Sequence, residues 1–138
     1  MKKIIAAATL LLTLAACCGT QNNKPLEGTT WKLASLEGIP ATAIDSEEDA
    51  FTLEFNAADT LLAGRTNCNR FFGNYTIEGN KLTLGNMGMT RMACPDMEYE
   101  DLFVAMLNKV NAYEIKGDKL TLQEGDKSLA VFKAVEKK

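Results

Sequence analysis

The chain has 138 residues, 46% hydrophobic and 24% charged, which is the composition of one ordinary globular domain rather than of a disordered polypeptide. Its 15 basic and 18 acidic residues give a formal net charge of −3, so electrostatics offers no basis for binding nucleic acid. No histidine is present, which excludes Ser-His-Asp and Cys-His catalysis and the histidine-based zinc sites.

The N-terminus has the organisation of a bacterial lipoprotein signal. Lys2 and Lys3 precede an apolar segment at residues 4–14, which is long enough for a secretory signal but too short to span a membrane. Residues 14–17, Leu-Ala-Ala-Cys, then resemble the lipobox. This resemblance implies cleavage before Cys17, a diacylglycerol on its sulfur and acylation of its new amino group. The alternative is an ordinary cleaved signal with a cysteine nearby by chance.

A triacylated Cys17 would be a permanent anchor, because each buried CH₂ contributes about 0.8 kcal/mol and several chains exceed the reversible binding of one. We therefore predict a signal peptide at 1–16, a lipidated cysteine and flexible tether at 17–25, and a domain at 26–135. Cys18 is left as a spare thiol at the membrane surface. The tether lacks the acidic run that directs some lipoproteins to the cell surface, so we expect an outer-membrane position facing the periplasm.

Alternating apolar residues predict the first strands of the domain. Trp31 and Leu33 alternate with polar neighbours, and residues 51–55 alternate strictly, as half-buried strands require. Between these strands, residues 38–50 contain Pro40 and a cluster of acidic side chains, and we expect a solvated loop there.

An internal repeat is the most informative feature of the domain. Residues 75–84 and 113–122 share Tyr, Ile, Gly, Lys, Leu, Thr and Leu at equivalent positions. Each copy is an alternating apolar run, a Gly-Asn or Gly-Asp turn and a second alternating run, which is the pattern of a β-hairpin. A further Gly-Asp pair at 125–126 leads into residues 129–132. The repeat therefore predicts an antiparallel meander.

One helix is predicted between the two hairpins. Its apolar stripe at i, i+3, i+4, i+7, i+8 and i+11 is expected to face the core and consists of Tyr99, Leu102, Phe103, Met106, Leu107 and Val110. Pro95 and Asp96 supply start signals, and acidic residues at 98, 100 and 101 suit the positive end of the helix dipole.

Three motifs in order resemble the META domain family. They are Leu-x-Gly-x-x-Trp at 26–31, Gly-x-x-x-Cys-Asn-Arg-Phe-x-Gly-x-Tyr at 64–75, and Thr-Arg-Met-Ala-Cys-Pro at 90–95. The residues before Cys68 depart slightly, because many relatives have small residues where this chain has Thr66 and Asn67. The resemblance covers residues 26–132. It implies a mainly β, α+β fold, in which an antiparallel sheet curls into a partial barrel with one helix packed against it. The family is associated with stress tolerance, secretion and motility, without an agreed biochemical activity.

Cys68 and Cys94 are the two cysteines inside the predicted domain. In an exported, oxidising compartment the simplest expectation is a disulfide between them. One alternative is a reactive thiol activated by Arg70 or Arg91, although no histidine base is available to it. Another is a pair of buried, unbonded thiols that pack as small hydrophobic groups.

Polar residues adjoin these cysteines and are the weak binding candidates of the chain: Asn67, Asn69, Arg70, Thr90 and Arg91. The interpretation we favour is structural, in which they satisfy backbone groups around a bulge or at a barrel end. The six methionines, among them Met87, Met89 and Met92, lack histidine or acidic partners and are expected to fill the core. We expect no cofactor and no metal.

Three functional hypotheses remain from the sequence. The first is a non-catalytic envelope module, attached to the membrane through Cys17, that binds an envelope protein or component and supports integrity under stress. The second is an inhibitor or a chaperone-like periplasmic factor. The third is a thiol enzyme that uses Cys68 or Cys94.

Overall fold

A computed structural model describes residues 22–137, so Cys17, Cys18 and the signal segment lie outside the described residues. The elements in chain order are β1 Thr30–Leu36, α1 Ala41–Ile44, β2 Thr52–Asn56, β3 Leu61–Arg65, β4 Arg70–Glu78, β5 Lys81–Met89, α2 Met97–Lys109, β6 Ala112–Lys116, β7 Lys119–Glu124 and β8 Lys127–Val135. The domain is therefore mainly β, as predicted.

The eight strands form one antiparallel sheet that closes on itself. Each strand pairs with the next along the chain, and β1 also pairs with β8, from Thr30 opposite Val135 to Leu36 opposite Ala130. The predicted antiparallel meander is confirmed. The sheet is a closed ring, whereas we expected it to curl into only a partial barrel. The shortest strand pairing is between β5 and β6, where one residue pair is in register, Lys81 opposite Ala112.

The repeated segments form the two predicted hairpins. β4 and β5 meet at Glu78 opposite Lys81, and β6 and β7 meet at Lys116 opposite Lys119. Both turns begin with a glycine of positive φ, 63° at Gly79 and 62° at Gly117, a conformation that costs other residues more. The repeat therefore encodes local pairing, as its alternation indicated.

Helix α2 closes one end of the ring with Phe103. This fully buried ring lies 5.5 Å from the Phe51 ring, 5.9 Å from Phe71 and 6.1 Å from Phe132, between centroids. The predicted stripe is confirmed at Met106 and Leu107, whereas Leu102 is 39% exposed. Asp96 precedes the helix with a φ of 61° and makes no side-chain cap hydrogen bond, so it is a start signal without the usual capping contact.

Residues 38–50 are not the solvated loop we expected. They contain the short helix α1, and Ile39, Ile44 and Ala50 are buried. The fold therefore has two helices rather than one, because a four-residue helix is too short to leave a periodic signal. The backbone of this segment is held by Lys32.

The ammonium of Lys32 lies among backbone carbonyls. Its Nζ donates to the oxygens of Ile44 and Glu47, both at 2.8 Å, and to that of Ala50. Burial lowers the pKa of Lys32, and the neighbouring carboxylates of Asp45 and Asp49 oppose this shift. Lys32 thus replaces the water that these carbonyls would otherwise bind.

The ring has two distinct ends. In an antiparallel ring of consecutive strands, β1, β3, β5 and β7 all run in one direction. The segments that follow them, including α1, the β3–β4 turn and α2, therefore lie at one end. Residues 22–29 precede β1 and lie at the opposite end, which we call the tether end, together with the C-terminus that follows β8.

Contacts at the tether end begin before Leu26. The backbone N–H of Lys24 donates to the oxygen of Gly117 at 2.8 Å, and that of Gly117 donates to Asn23 Oδ1 at 2.7 Å. Glu27 accepts a hydrogen bond from the Tyr75 hydroxyl. Burial and then this bond raise the pKa of Tyr75 well above its ordinary value. The start of the domain is thus fixed to the turn at Gly117 and to β4.

Candidate functional site

The motif cysteines and polar residues meet at the end of the ring opposite the tether end. Residues 90–96, which we call the strap, cross this end between β5 and α2. The structure forms the predicted disulfide between Cys68, in the β3–β4 turn, and Cys94, in the strap. Their Cα atoms are 5.9 Å apart, within the usual disulfide range. The bond fixes the strap to the ring.

Asn69 is the hub of the hydrogen bonds that hold the strap. Its Oδ1 accepts from the backbone N–H of Met92 at 2.7 Å and from the hydroxyl of Thr90 at 2.9 Å. Its Nδ2 donates to the oxygen of Met92 at 3.1 Å and to Glu100 Oε2 at 3.2 Å. Asn69 is 2% exposed, so water cannot reach its side chain. These four hydrogen bonds satisfy its polar atoms instead.

Glu100 connects the same network to helix α2. This carboxylate is 3% exposed and accepts from Asn69 and from the hydroxyl of Thr66, the latter at 2.7 Å. The hydroxyl oxygen of Thr66 in turn accepts from the backbone N–H groups of Cys68 at 3.0 Å and Asn69 at 2.9 Å. One buried network therefore joins the β3–β4 turn, the strap and α2.

The predicted binding candidates divide into two groups. Asn69 and Thr90 belong to the network, and Asn67 Nδ2 donates to the backbone oxygen of Asp96 at 3.1 Å. Arg70 and Arg91 are exposed, and their side chains make no ion pair or hydrogen bond with residues 22–137. The strap end thus has a structural interior, and the side chains of Arg70 and Arg91 on its exterior have no partner among the described residues.

The glycine of the second motif serves this packing. A Cβ on Gly64 would lie 2.1 Å from the backbone oxygen of Thr52 and 2.4 Å from the ring of Phe71. Only glycine at this position of β3 therefore leaves room for the buried Phe71 ring of β4, which packs on Phe103 of α2. Gly64 and Phe71 of the second motif therefore hold β3, β4 and α2 together at the strap end.

The chemistry available at this end is limited. Cys68 is 1% exposed and, like Cys94, is bonded as a disulfide, so neither sulfur is a thiolate in this state. Within residues 22–137, no group of three or more histidine, cysteine or acidic side chains is placed to hold a metal ion. No helix in the same range combines the length and apolar character needed to cross a bilayer.

Thr66 and Glu100 belong to the buried network although neither was among the predicted site residues, and Met92 is not in the core, contrary to the prediction. The sequence predicts Glu100 only as one of the acidic residues that suit the positive end of the helix dipole. In the structure it is buried, and its hydrogen-bond partners Thr66 and Asn69 lie 34 and 31 residues away in the sequence. Met92 is 57% exposed instead of filling the core. The available signal for Glu100 is its spacing, three residues before Phe103 and seven before Leu107, which places it on the buried face of the helix.

The chain is similar to known proteins both in sequence and in fold. The sequence profile of the META domain matches residues 24–136. Heat shock protein HslJ of Escherichia coli (strain K12) is 26% identical over 136 residues, covering 94% of each chain. An NMR structure of a protein from Burkholderia xenovorans has a TM-score of 0.64 at 22% identity, covering 81% of this chain and 85% of that one. A crystal structure of a DUF4847 family protein from Bacteroides vulgatus has a TM-score of 0.58 at 18% identity, covering 82% and 96%.

Proposed function

This chain belongs to the META domain family, and we propose that it is a non-catalytic, lipid-anchored binding module of the cell envelope. The observation that supports the proposal is that the entry of the chain and the strap lie at opposite ends of the ring. The chain enters at the tether end, eight residues before β1, while the disulfide-fixed strap lies at the opposite end. A lipid on Cys17 would hold the strap end away from the membrane.

Two features support a binding role over catalysis. The chain has no histidine, and the cysteines of the domain are joined in a disulfide, which leaves the thiol-enzyme hypothesis without a nucleophile in this state. The polar residues of the strap end that are buried are used for structure, whereas Arg70 and Arg91 are left exposed. An inhibitor or chaperone-like factor would be a narrower form of the same role.

The likeness to HslJ adds a physiological context. Because the E. coli relative is named a heat shock protein, we propose that this module supports the envelope under stress, facing the periplasm from the outer membrane. A small domain closed by a disulfide suits such conditions, because the bond limits the entropy of the unfolded chain.

Replacing Cys17 with Ser is expected to abolish lipid attachment and leave the precursor uncleaved. Intact mass of the membrane-extracted wild type should show loss of residues 1–16 and added acyl mass on Cys17, because the lipobox directs both steps. The matched control is Cys18→Ser, which should be processed as the wild type is. A soluble, unacylated wild-type protein would contradict the proposal.

A further inference from the structure

All three arginines of this acidic chain lie at the strap end. Arg65 ends β3, Arg70 begins β4 directly opposite it, and Arg91 is in the strap. Two like charges facing each other across an antiparallel pair destabilise the sheet unless each finds a counter-charge. The partners of these guanidinium groups are therefore informative.

Arg65 already has carboxylate partners, and Arg70 has none. Arg65 Nη2 lies 2.7 Å from Glu47 Oε2, and Nη1 lies 2.5 Å from Asp49 Oδ1. The guanidinium groups of Arg70 and Arg91 make no ion pair or hydrogen bond with any other described residue. The Arg65 site shows which chemistry this face accepts, namely two carboxylates from an acidic segment.

Each unpaired arginine is next to a strongly exposed apolar side chain. Phe72 is 55% exposed and, two residues from Arg70 on β4, shares its outward face. Its ring lies over Gly88, where a Cβ would approach Phe72 Cε2 to 2.8 Å, so glycine allows the ring to lie close to the sheet. Met92, directly after Arg91, is 57% exposed. These are the two most exposed large hydrophobic residues described.

The four side chains belong to adjoining segments. The backbone N–H of Thr90 donates to the oxygen of Arg70 at 2.9 Å, and that of Arg70 donates to the Thr90 hydroxyl at 3.1 Å. This pairing continues the β4–β5 ladder into the strap. Next to it is an open cleft of about 660 Å³, lined in part by Arg65, Arg70 and Phe72 and also by Asp49 and Glu54, of which Asp49 pairs with Arg65. We call Arg70, Phe72, Arg91 and Met92 the outer strap surface.

We propose that the outer strap surface binds an acidic segment of a protein partner that also carries apolar side chains. Arginine, methionine and aromatic residues are enriched in protein interfaces, and guanidinium groups bind carboxylates through paired hydrogen bonds. The proposal rests on the proposed function, because that function places this surface opposite the anchoring membrane. A protein partner is therefore favoured over the headgroups of that membrane.

The test measures binding of defined peptides to the protein as purified from bacterial cells, in neutral detergent, whether or not it carries a lipid. A fluorescent peptide of alternating glutamate and leucine is compared with one in which glutamine replaces glutamate and one in which serine replaces leucine. The first should bind most tightly, with the difference reduced by salt. The variant Arg70→Gln/Arg91→Gln should weaken it about tenfold, or about 1.4 kcal/mol. The variant Phe72→Ser/Met92→Ser should weaken it similarly.

The matched control is Lys119→Gln/Lys133→Gln. These exposed lysines face each other on β7 and β8, so the control removes the same charge from a cross-strand pair elsewhere. Binding unchanged in this control supports the outer strap surface. Equal losses in both charge variants, equal binding of the glutamine peptide, or no peptide binding would overturn the proposal.

Binding to vesicles that contain phosphatidylglycerol distinguishes a membrane ligand from a protein partner. If these vesicles bind through Arg70 and Arg91 and the acidic peptide does not, the partner is an anionic lipid surface and the proposal is wrong. The peptides are soluble and the assay is independent of acylation. Failure here therefore leaves the anchoring proposal standing, and failure of acylation at Cys17 leaves the peptide result interpretable.

Discussion

Replacing both Cys68 and Cys94 with alanine is expected to lower the free energy of unfolding by about 2–4 kcal/mol. The bond joins residues 26 apart in the sequence, and closing a loop of this size restricts the unfolded chain by an amount on the order of 3 kcal/mol. The melting temperature should fall by about 10 °C or more. Denaturant and thermal unfolding of the full-length protein measure both quantities.

Reduction of the wild type provides the internal control for this result. A reducing agent should lower the stability of the wild type to near that of the double variant, and should leave the variant unchanged. Any envelope phenotype should persist in the variant at permissive temperature. If the variant keeps full stability but loses function, the structural role of the cysteines is wrong and the thiol-enzyme hypothesis returns.

Replacing Asn69 with alanine is expected to cost about 3 kcal/mol or more, as loss of a buried network does. The change removes four hydrogen bonds at once. It leaves the buried Glu100 side chain, and the partly buried backbone N–H and oxygen of Met92, short of partners. Amide hydrogen exchange should show the strap opening before the sheet unfolds.

Asn67 supplies the matched control for Asn69. It lies two residues away in the same turn, and its Nδ2 makes one hydrogen bond, to the Asp96 oxygen, while its Oδ1 has no partner among the described residues. The Asn67→Ala variant should therefore lose only about 1 kcal/mol. Comparable losses in the two variants would show that the network does not hold the strap.

The elements that the sequence predicts well are those encoded over a few residues. The hairpin at Gly79, the hairpin at Gly117 and the stripe of α2 around Phe103 all depend on near neighbours, and the structure confirms them. Closure of the ring depends instead on β1 pairing with β8, about 100 residues later, which no local periodicity encodes.

The candidate site could be predicted only in part, for the same reason. Cys68 and Cys94 could be paired because they are the two cysteines of the predicted domain and an oxidising compartment was expected. The roles of Glu100 and Lys32 depend on partners brought together by the fold, the hydroxyl of Thr66 in one case and the carbonyls of the α1 segment in the other. An ionisable residue in an amphipathic pattern is ordinarily assigned to solvent, and these two are exceptions because their polar atoms are hydrogen-bonded within the fold.

The most direct measurement of the central claim is the distance of each end of the ring from the membrane. The protein is labelled with a fluorophore at Asp118→Cys, beside the tether contact at Gly117, or at Ala93→Cys in the strap, each in a Cys18→Ser background. Both proteins are reconstituted into vesicles that carry a headgroup quencher. β5 alone spans nine residues, or about 30 Å along the strand. The account predicts strong quenching at position 118 and little at 93, whereas equal or reversed quenching would contradict it.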